Sequence, residues 1–187
     1  MEQKTSSKNR IVTIPNILSV FRICLIPVIV WFYVVKQQYH YAGYVFIISA
    51  VTDILDGYIA RRYQMISSLG KILDPVADKL TQVAMLLCLI FRFPLVAVPL
   101  ALLIVEEIFM GISGLLVIRK TGCIEGADWH GKAATCLTFS MVAIHIFWYE
   151  ITPAVSFLLI AACTLMIAVS FALYGVRNVK LLKNKKR

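Results

Sequence analysis

The chain has 187 residues, 60% of them hydrophobic and only 16% charged, whereas soluble domains run at about 45–50% apolar and about 25% charged, so lipid is the expected solvent. That composition excludes a disordered chain, a collagen and a secreted disulfide scaffold, and the length excludes a large multidomain enzyme. Lys and Arg (19) exceed Asp and Glu (10), giving a formal charge of +9, which on a membrane protein marks cytoplasmic loops and anionic headgroups rather than a nucleic-acid partner.

A bilayer span needs roughly 20 apolar residues. In chain order the candidates are about 15–35, 41–60, 70–91, 94–118, 132–149 and 153–175, which predicts an all-α bundle of six transmembrane helices forming one domain over 1–187. The basic stretch before the first run, 1–13 with Lys4, Lys8 and Arg10, reads as a short interfacial segment. That first run is too long for a cleaved signal peptide, and no small-residue cleavage site follows it. Pro15 suits a first helical turn, where its missing N–H is not needed. The connections are short, and no linker or internal repeat is visible.

Loop charges set the expected orientation. With the N-terminus inside, the cytoplasmic side collects Lys4, Lys8, Arg10, Arg61, Arg62, Arg119, Lys120, Lys132 and the basic tail over 176–187, while the opposite side holds only Lys36 and Arg92. Both termini are therefore expected in the cytoplasm, in a multi-pass protein of the cell membrane, with the tail along anionic headgroups. The cysteines (Cys24, Cys88, Cys123, Cys136 and Cys163) form no CxxC pair and read as small buried hydrophobes. His40, His130 and His145 are too scattered for a zinc site and read as interfacial or packed.

The acids carry the chemistry. Asp53 and Asp56 end the second run, Asp74 and Asp78 sit in the third, and Glu106 and Glu107 interrupt the fourth. An ionised Asp at a helix centre costs about 2.5–3.5 kcal/mol on insertion scales, so four of them need partners, a polar cavity or a shared cation. Ion pairs with Arg61, Lys71 and Lys79 could serve any one of them. The spacings of three and four place each pair on one helix face. Joined by a short loop, the two helices should pack antiparallel, so that the acidic faces meet near the cytoplasmic surface. Four convergent carboxylates are all-oxygen ligands that suit Mg²⁺ or Mn²⁺.

Between the pairs, Gly57 and Ala60 leave room on the acidic face for a flat group, or else for close helix packing. Arg61 lies two turns beyond Asp53, where its guanidinium could hold a phosphate bidentately or simply anchor the helix end at the interface.

Together these positions read Asp53-x2-Asp56-Gly57-x2-Ala60-Arg61-x8-Gly70-x3-Asp74-x3-Asp78. The phrase resembles the signature of the CDP-alcohol phosphatidyltransferase family at every fixed position. The resemblance extends to Ile14-Pro15-Asn16-Ile17-Leu18-Ser19, to Arg22 and to Ile26-Pro27, and within the family it is similar to the phosphatidylglycerophosphate synthase and cardiolipin synthase branch. It implies transfer of a phosphatidyl group from CDP-diacylglycerol to an alcohol with release of CMP. It implies a divalent-metal site of two ions lined by Asp53, Asp56, Asp74 and Asp78, with Asp78 as base toward the acceptor hydroxyl. Gly57, Ala60 and Arg61 would contact the CDP moiety, Gly70 would allow close approach, and a homodimer is common among such enzymes.

The acceptor is where this chain departs from the branch. A family phrase resembling Ala-Arg-Glu in the fourth helix is here Val105-Glu106-Glu107, and one resembling Gly-Lys-x-Lys-Thr before the fifth is Gly131-Lys132-Ala133-Ala134-Thr135. Two cations for a phosphate-bearing acceptor are missing. Arg22, Lys132 and Arg119 remain as candidate acceptor residues, with Glu106 as a charge that could tune acceptor choice. Glycerol-3-phosphate is the first expectation and phosphatidylglycerol, the cardiolipin synthase acceptor, the second. A divalent-cation transporter is the reading from another class, but the repeated halves and interrupted helices of such proteins are not visible here.

Overall fold

A computed structural model describes residues 13–62, 70–121, 129–148 and 150–183, and within them the only regular secondary structure is helical. Six α-helices follow in order: α1 (Ile14–Val30), α2 (Tyr39–Arg62), α3 (Gly70–Ile90), α4 (Ala97–Thr121), α5 (Trp129–Phe147) and α6 (Pro153–Lys183). Residues 1–12 of the expected interfacial segment, the connections over 63–69 and 122–128, and the last four residues of the tail lie outside the described residues.

Among the described residues, four stretches are long and apolar enough to cross a membrane: Ile14–Val35, Tyr39–Ile59, Pro94–Val117 and Pro153–Leu181. The other two helices fall short of that measure for visible reasons. The first half of α3 carries Lys71, Asp74, Asp78 and Lys79, and α5 is 19 residues long with His130, Lys132 and His145 in it.

The surface agrees with lipid as the solvent. Large apolar side chains point outward, among them Ile54 at 69% exposed and Phe91 at 76%, while Asn16, Ser19, Arg22, Asp56, Glu106, Ser170 and Asn178 are buried. In water that arrangement would be unfavourable on both counts. The same inversion explains the cysteines: Cys88 and Cys163 are buried as expected, whereas Cys24 and Cys136 are exposed on outward faces. His130 and His145 are packed.

The chain divides into two compact units, Met1–Phe91 and Arg92–Arg187. In the first, α1 is the central element and packs against both α2 and α3. Thr13 caps its start, accepting from the Asn16 N–H at 3.4 Å, and Pro15 sits in the first turn. Asn16, Ser19 and Arg22, spaced by three, form a buried polar stripe on an otherwise apolar helix. Past α1 the chain widens into a π-helical turn, Trp31–Val35, and Gln37 takes a left-handed φ of 53° to reverse direction into α2. Aromatic rings gather at this reversal, with Phe32 stacked on Tyr41, Tyr33 edge-on to Tyr39 and the Lys36 ammonium over Trp31. Such rings favour the headgroup level. Asp56 lies seventeen residues beyond Tyr39, about 26 Å along the helix and close to the thickness of a hydrocarbon core. The acids therefore sit at the end of α2 away from the aromatic turn.

In the second unit α6 is central and packs against α4 and α5. At 31 residues it is about 46 Å long, more than a bilayer core requires. It runs through the start of the expected basic tail, so Arg177 and Lys180 are carried on a continuous helix.

Candidate active site

Asp53 and Asp56 occupy the last turns of α2, and Asp74 and Asp78 the first half of α3. Their meeting point is supplied by α1. The Arg22 guanidinium extends Nη2 to Asp53 Oδ1 at 2.8 Å and to Asp56 Oδ2 at 2.5 Å, and Nη1 to Asp78 Oδ1. One turn earlier on the same face, the Ser19 hydroxyl donates to Asp74 Oδ1. All four acids are thus held from one stripe of one helix. The sequence suggested that α2 and α3 pack on each other with their acidic faces meeting; the Asp53 and Asp78 carboxyl groups do lie within hydrogen-bond reach of each other, but it is α1 that lies against both helices and joins their acids through its polar stripe.

Exposure divides the set. Arg22 and Asp56 are buried, at 2% and 3% side-chain exposure, while Asp53 and Asp78 keep 44% and 38%. Three carboxylates on one guanidinium leave an excess of negative charge at a place partly open to its surroundings. Oxygen-only donors of this kind are the type that hard divalent cations take, so the donor set fits Mg²⁺ or Mn²⁺. As the side chains stand, however, no group of three His, Cys, Asp or Glu among the described residues is arranged to hold an ion. The carboxylates are gathered on the guanidinium.

The other predicted residues are distributed as follows. Gly57 is half-buried on the turn after Asp56, and Gly70 is buried at the start of α3. The side chains of Ala60 and Arg61 lie outside the described residues. Arg22, grouped with the acceptor residues on sequence grounds, is found among the aspartates.

Glu106, Arg119 and Lys132 all belong to the second unit, Arg119 and Lys132 being exposed. Glu106 is 6% exposed and accepts from the Ser170 hydroxyl at 2.9 Å. Since that hydroxyl gives its proton to the carboxylate, its oxygen accepts from His130 Nδ1–H, 3.3 Å away. The His130 ring packs edge-on to Tyr174, over which the Arg177 guanidinium lies. A second link joins α4 to α6 where Asn178 donates to Ser113 at 2.7 Å.

Sequence reasoning missed Ser19 as a partner of Asp74, and it missed this α4–α5–α6 network. The signal for Ser19 was available: three polar residues at spacing three in an apolar helix mark a face turned away from lipid. The pairing of Glu106 with Ser170, 64 positions apart, had no local signal.

The family model described as CDP-alcohol phosphatidyltransferase matches residues 12–174. A Rickettsia bellii protein named CDP-diacylglycerol--glycerol-3-phosphate 3-phosphatidyltransferase is 38% identical over 104 residues, covering 54% of this chain and 56% of its own length. The match therefore spans little more than half of that relative. A Bacillus subtilis protein of the same name is 32% identical over 156 residues, 74% of this chain and 80% of its own. A Streptomyces coelicolor protein named cardiolipin synthase (CMP-forming) is 38% identical over 136 residues, 68% of this chain and 61% of its own. With a family match that runs from the start of α1 into α6 and takes in Arg22 and all four aspartates, the chain belongs to the CDP-alcohol phosphatidyltransferase family.

Proposed function

We propose that the protein transfers the phosphatidyl group of CDP-diacylglycerol to an alcohol and releases CMP, with glycerol-3-phosphate as the acceptor. The observation that carries this reading is the convergence of Asp53, Asp56 and Asp78, fixed positions of the family phrase, on a single point. In the reaction the acceptor oxygen bonds to the phosphorus that bears diacylglycerol, the bond from that phosphorus to the CMP oxygen breaks, and CMP leaves with the electron pair. Asp78, partly exposed, takes the acceptor's hydroxyl proton. Gly57 leaves space beside Asp56 for the nucleotide, and Arg61 holds its phosphate. Asp53, Asp56, Asp74 and Asp78 would hold two ions of Mg²⁺ or Mn²⁺. Such ions, when bound, neutralise the diphosphate and stabilise the departing CMP.

The loop charges support six spans with both termini and the acidic cluster on the cytoplasmic side. There the water-soluble head of the donor is admitted while its acyl chains stay in lipid. Phosphatidylglycerol is the second reading, favoured by the Streptomyces coelicolor relative's name and by Glu106 standing where the branch carries a cation.

The test is CMP release by the purified protein from CDP-diacylglycerol, with and without MgCl₂, offering each acceptor in turn. Release that needs MgCl₂ and is faster with glycerol-3-phosphate is expected. Release with phosphatidylglycerol alone would move the assignment to the second reading, and no release with any acceptor would overturn both.

A further inference from the structure

Arg22 is an unusual residue to find at 2% exposure in the middle of a helix that is otherwise apolar enough to span a membrane. It is held there by carboxylates from two other helices, and its geometry is that of a central ion. Nη2 serves Asp53 and Asp56 from α2, and Nη1 serves Asp78 from α3. Its Nε is buried without a hydrogen-bond partner, so the guanidinium is oriented by the acids and not by its own helix. It engages one oxygen of each of three of the four aspartates that would ligate a cation. A guanidinium and a divalent ion compete for the charge of the same carboxylates.

We infer that Arg22 is a positioning residue for the aspartate cluster: it acts as an internal counter-cation that keeps Asp53, Asp56 and Asp78 convergent before an ion arrives and is displaced when one binds. This rests on the reading of the aspartates as divalent-cation ligands. Two observations make displacement feasible. Asp53 and Asp78 are each more than a third exposed, so an incoming ion can reach two of the three carboxylates. Three carboxylates against one guanidinium also leave negative charge that a divalent ion neutralises better than a single positive charge does. The role carries a penalty, because an ion must compete with a cation covalently tethered at the site.

The inference predicts effects of opposite sign from one substitution. In Arg22→Gln the acids lose their counter-cation, so thermal unfolding without divalent ions should occur at a lower temperature than in the wild type. The competitor is gone as well, so the MgCl₂ concentration that half-saturates the rise in unfolding temperature should fall by about tenfold, as follows if the guanidinium holds the centre in about nine molecules of ten. Arg22→Lys keeps the charge but cannot span three carboxylates, so its half-saturating concentration should lie between the other two. This variant carries the test alone if Arg22→Gln does not fold. A wild type that MgCl₂ stabilises, beside variants that need the same or more MgCl₂, would overturn the inference and leave the ligand reading intact. A wild type that MgCl₂ does not stabilise at any concentration would overturn both.

Discussion

The two units solve the same problem in different ways. Each has one central helix, α1 or α6, with a buried polar stripe facing two neighbours and apolar residues facing outward. In the first unit the stripe ends in a full charge that gathers three carboxylates, two of them partly open. In the second it is a closed run of hydrogen bonds, Glu106 to Ser170 to His130 and Asn178 to Ser113, all deeply buried. His145 adds another, donating from Nδ1 to the Met141 carbonyl and accepting at Nε2 from Ser156 at 2.9 Å, which ties α5 to α6. Hydrogen bonds of this kind contribute about 0.6 kcal/mol each in a membrane protein, enough in sum to fix helix register. A cluster of ion pairs is a poor way to fix register, since the cost of desolvating the charges can exceed what their attraction returns. The contrast separates a unit whose charged cluster is partly open from one whose polar groups are closed within its own packing.

The sharpest way to break the comparison is Asp78→Asn in the first unit. Loss of the proposed proton acceptor should lower kcat for CMP release by about 10²–10⁴-fold while CDP-diacylglycerol still binds. A fall of less than tenfold would remove Asp78 as the base.

Asp53→Asn should come next. It replaces a proposed charged ligand by an amide, and the half-saturating MgCl₂ concentration should rise by about 10–100-fold. Turnover that is undisturbed at limiting MgCl₂ would show that the acids do not hold the ion.

In the second unit the effects should appear as stability. Glu106→Leu leaves the Ser170 hydroxyl without its acceptor in the interior, and unfolding should become easier by about 1–3 kcal/mol, read in detergent by thermal melting. Measuring the ratio of kcat/KM for glycerol-3-phosphate and phosphatidylglycerol in the same variant sharpens the point. A changed ratio would give Glu106 a part in acceptor choice and blur the distinction between the units.

The smallest effect should come from Gly131→Ala. A Cβ there would lie 2.5 Å from the Tyr174 hydroxyl, and that ring is held between His130 and Arg177. The displacement should cost about 1 kcal/mol, at the low end for overpacking. A variant as stable as the wild type would mean that the ring yields freely.

Much of the molecule was legible in the amino-acid sequence. The apolar runs predicted the helices to within a few residues, because in lipid a backbone must satisfy its hydrogen bonds internally and long apolar stretches have few alternatives. The family phrase over 53–78 located the acids, since spacings of three and four are read directly as one helix face. The helix bounds were less readable at α6, where the basic residues suggested a separate tail. Arg177 and Lys180 in fact continue the helix, since Lys and Arg are good helix formers and nothing in the sequence stops it before Lys183.

What the amino-acid order determined by itself is therefore the local: which segments are helices, which faces carry acids, and that the surroundings are lipid. What only the tertiary structure decided is which distant groups meet. Adjacency in sequence pointed to α2 against α3, yet α1 is the helix that packs on both, and Arg22 reaches Asp56 and Asp78 across 34 and 56 positions. Local spacing cannot encode such a pairing. It follows from the cost of an isolated charge in a membrane, which obliges Arg22 to find carboxylates wherever the packing of three helices brings them within reach.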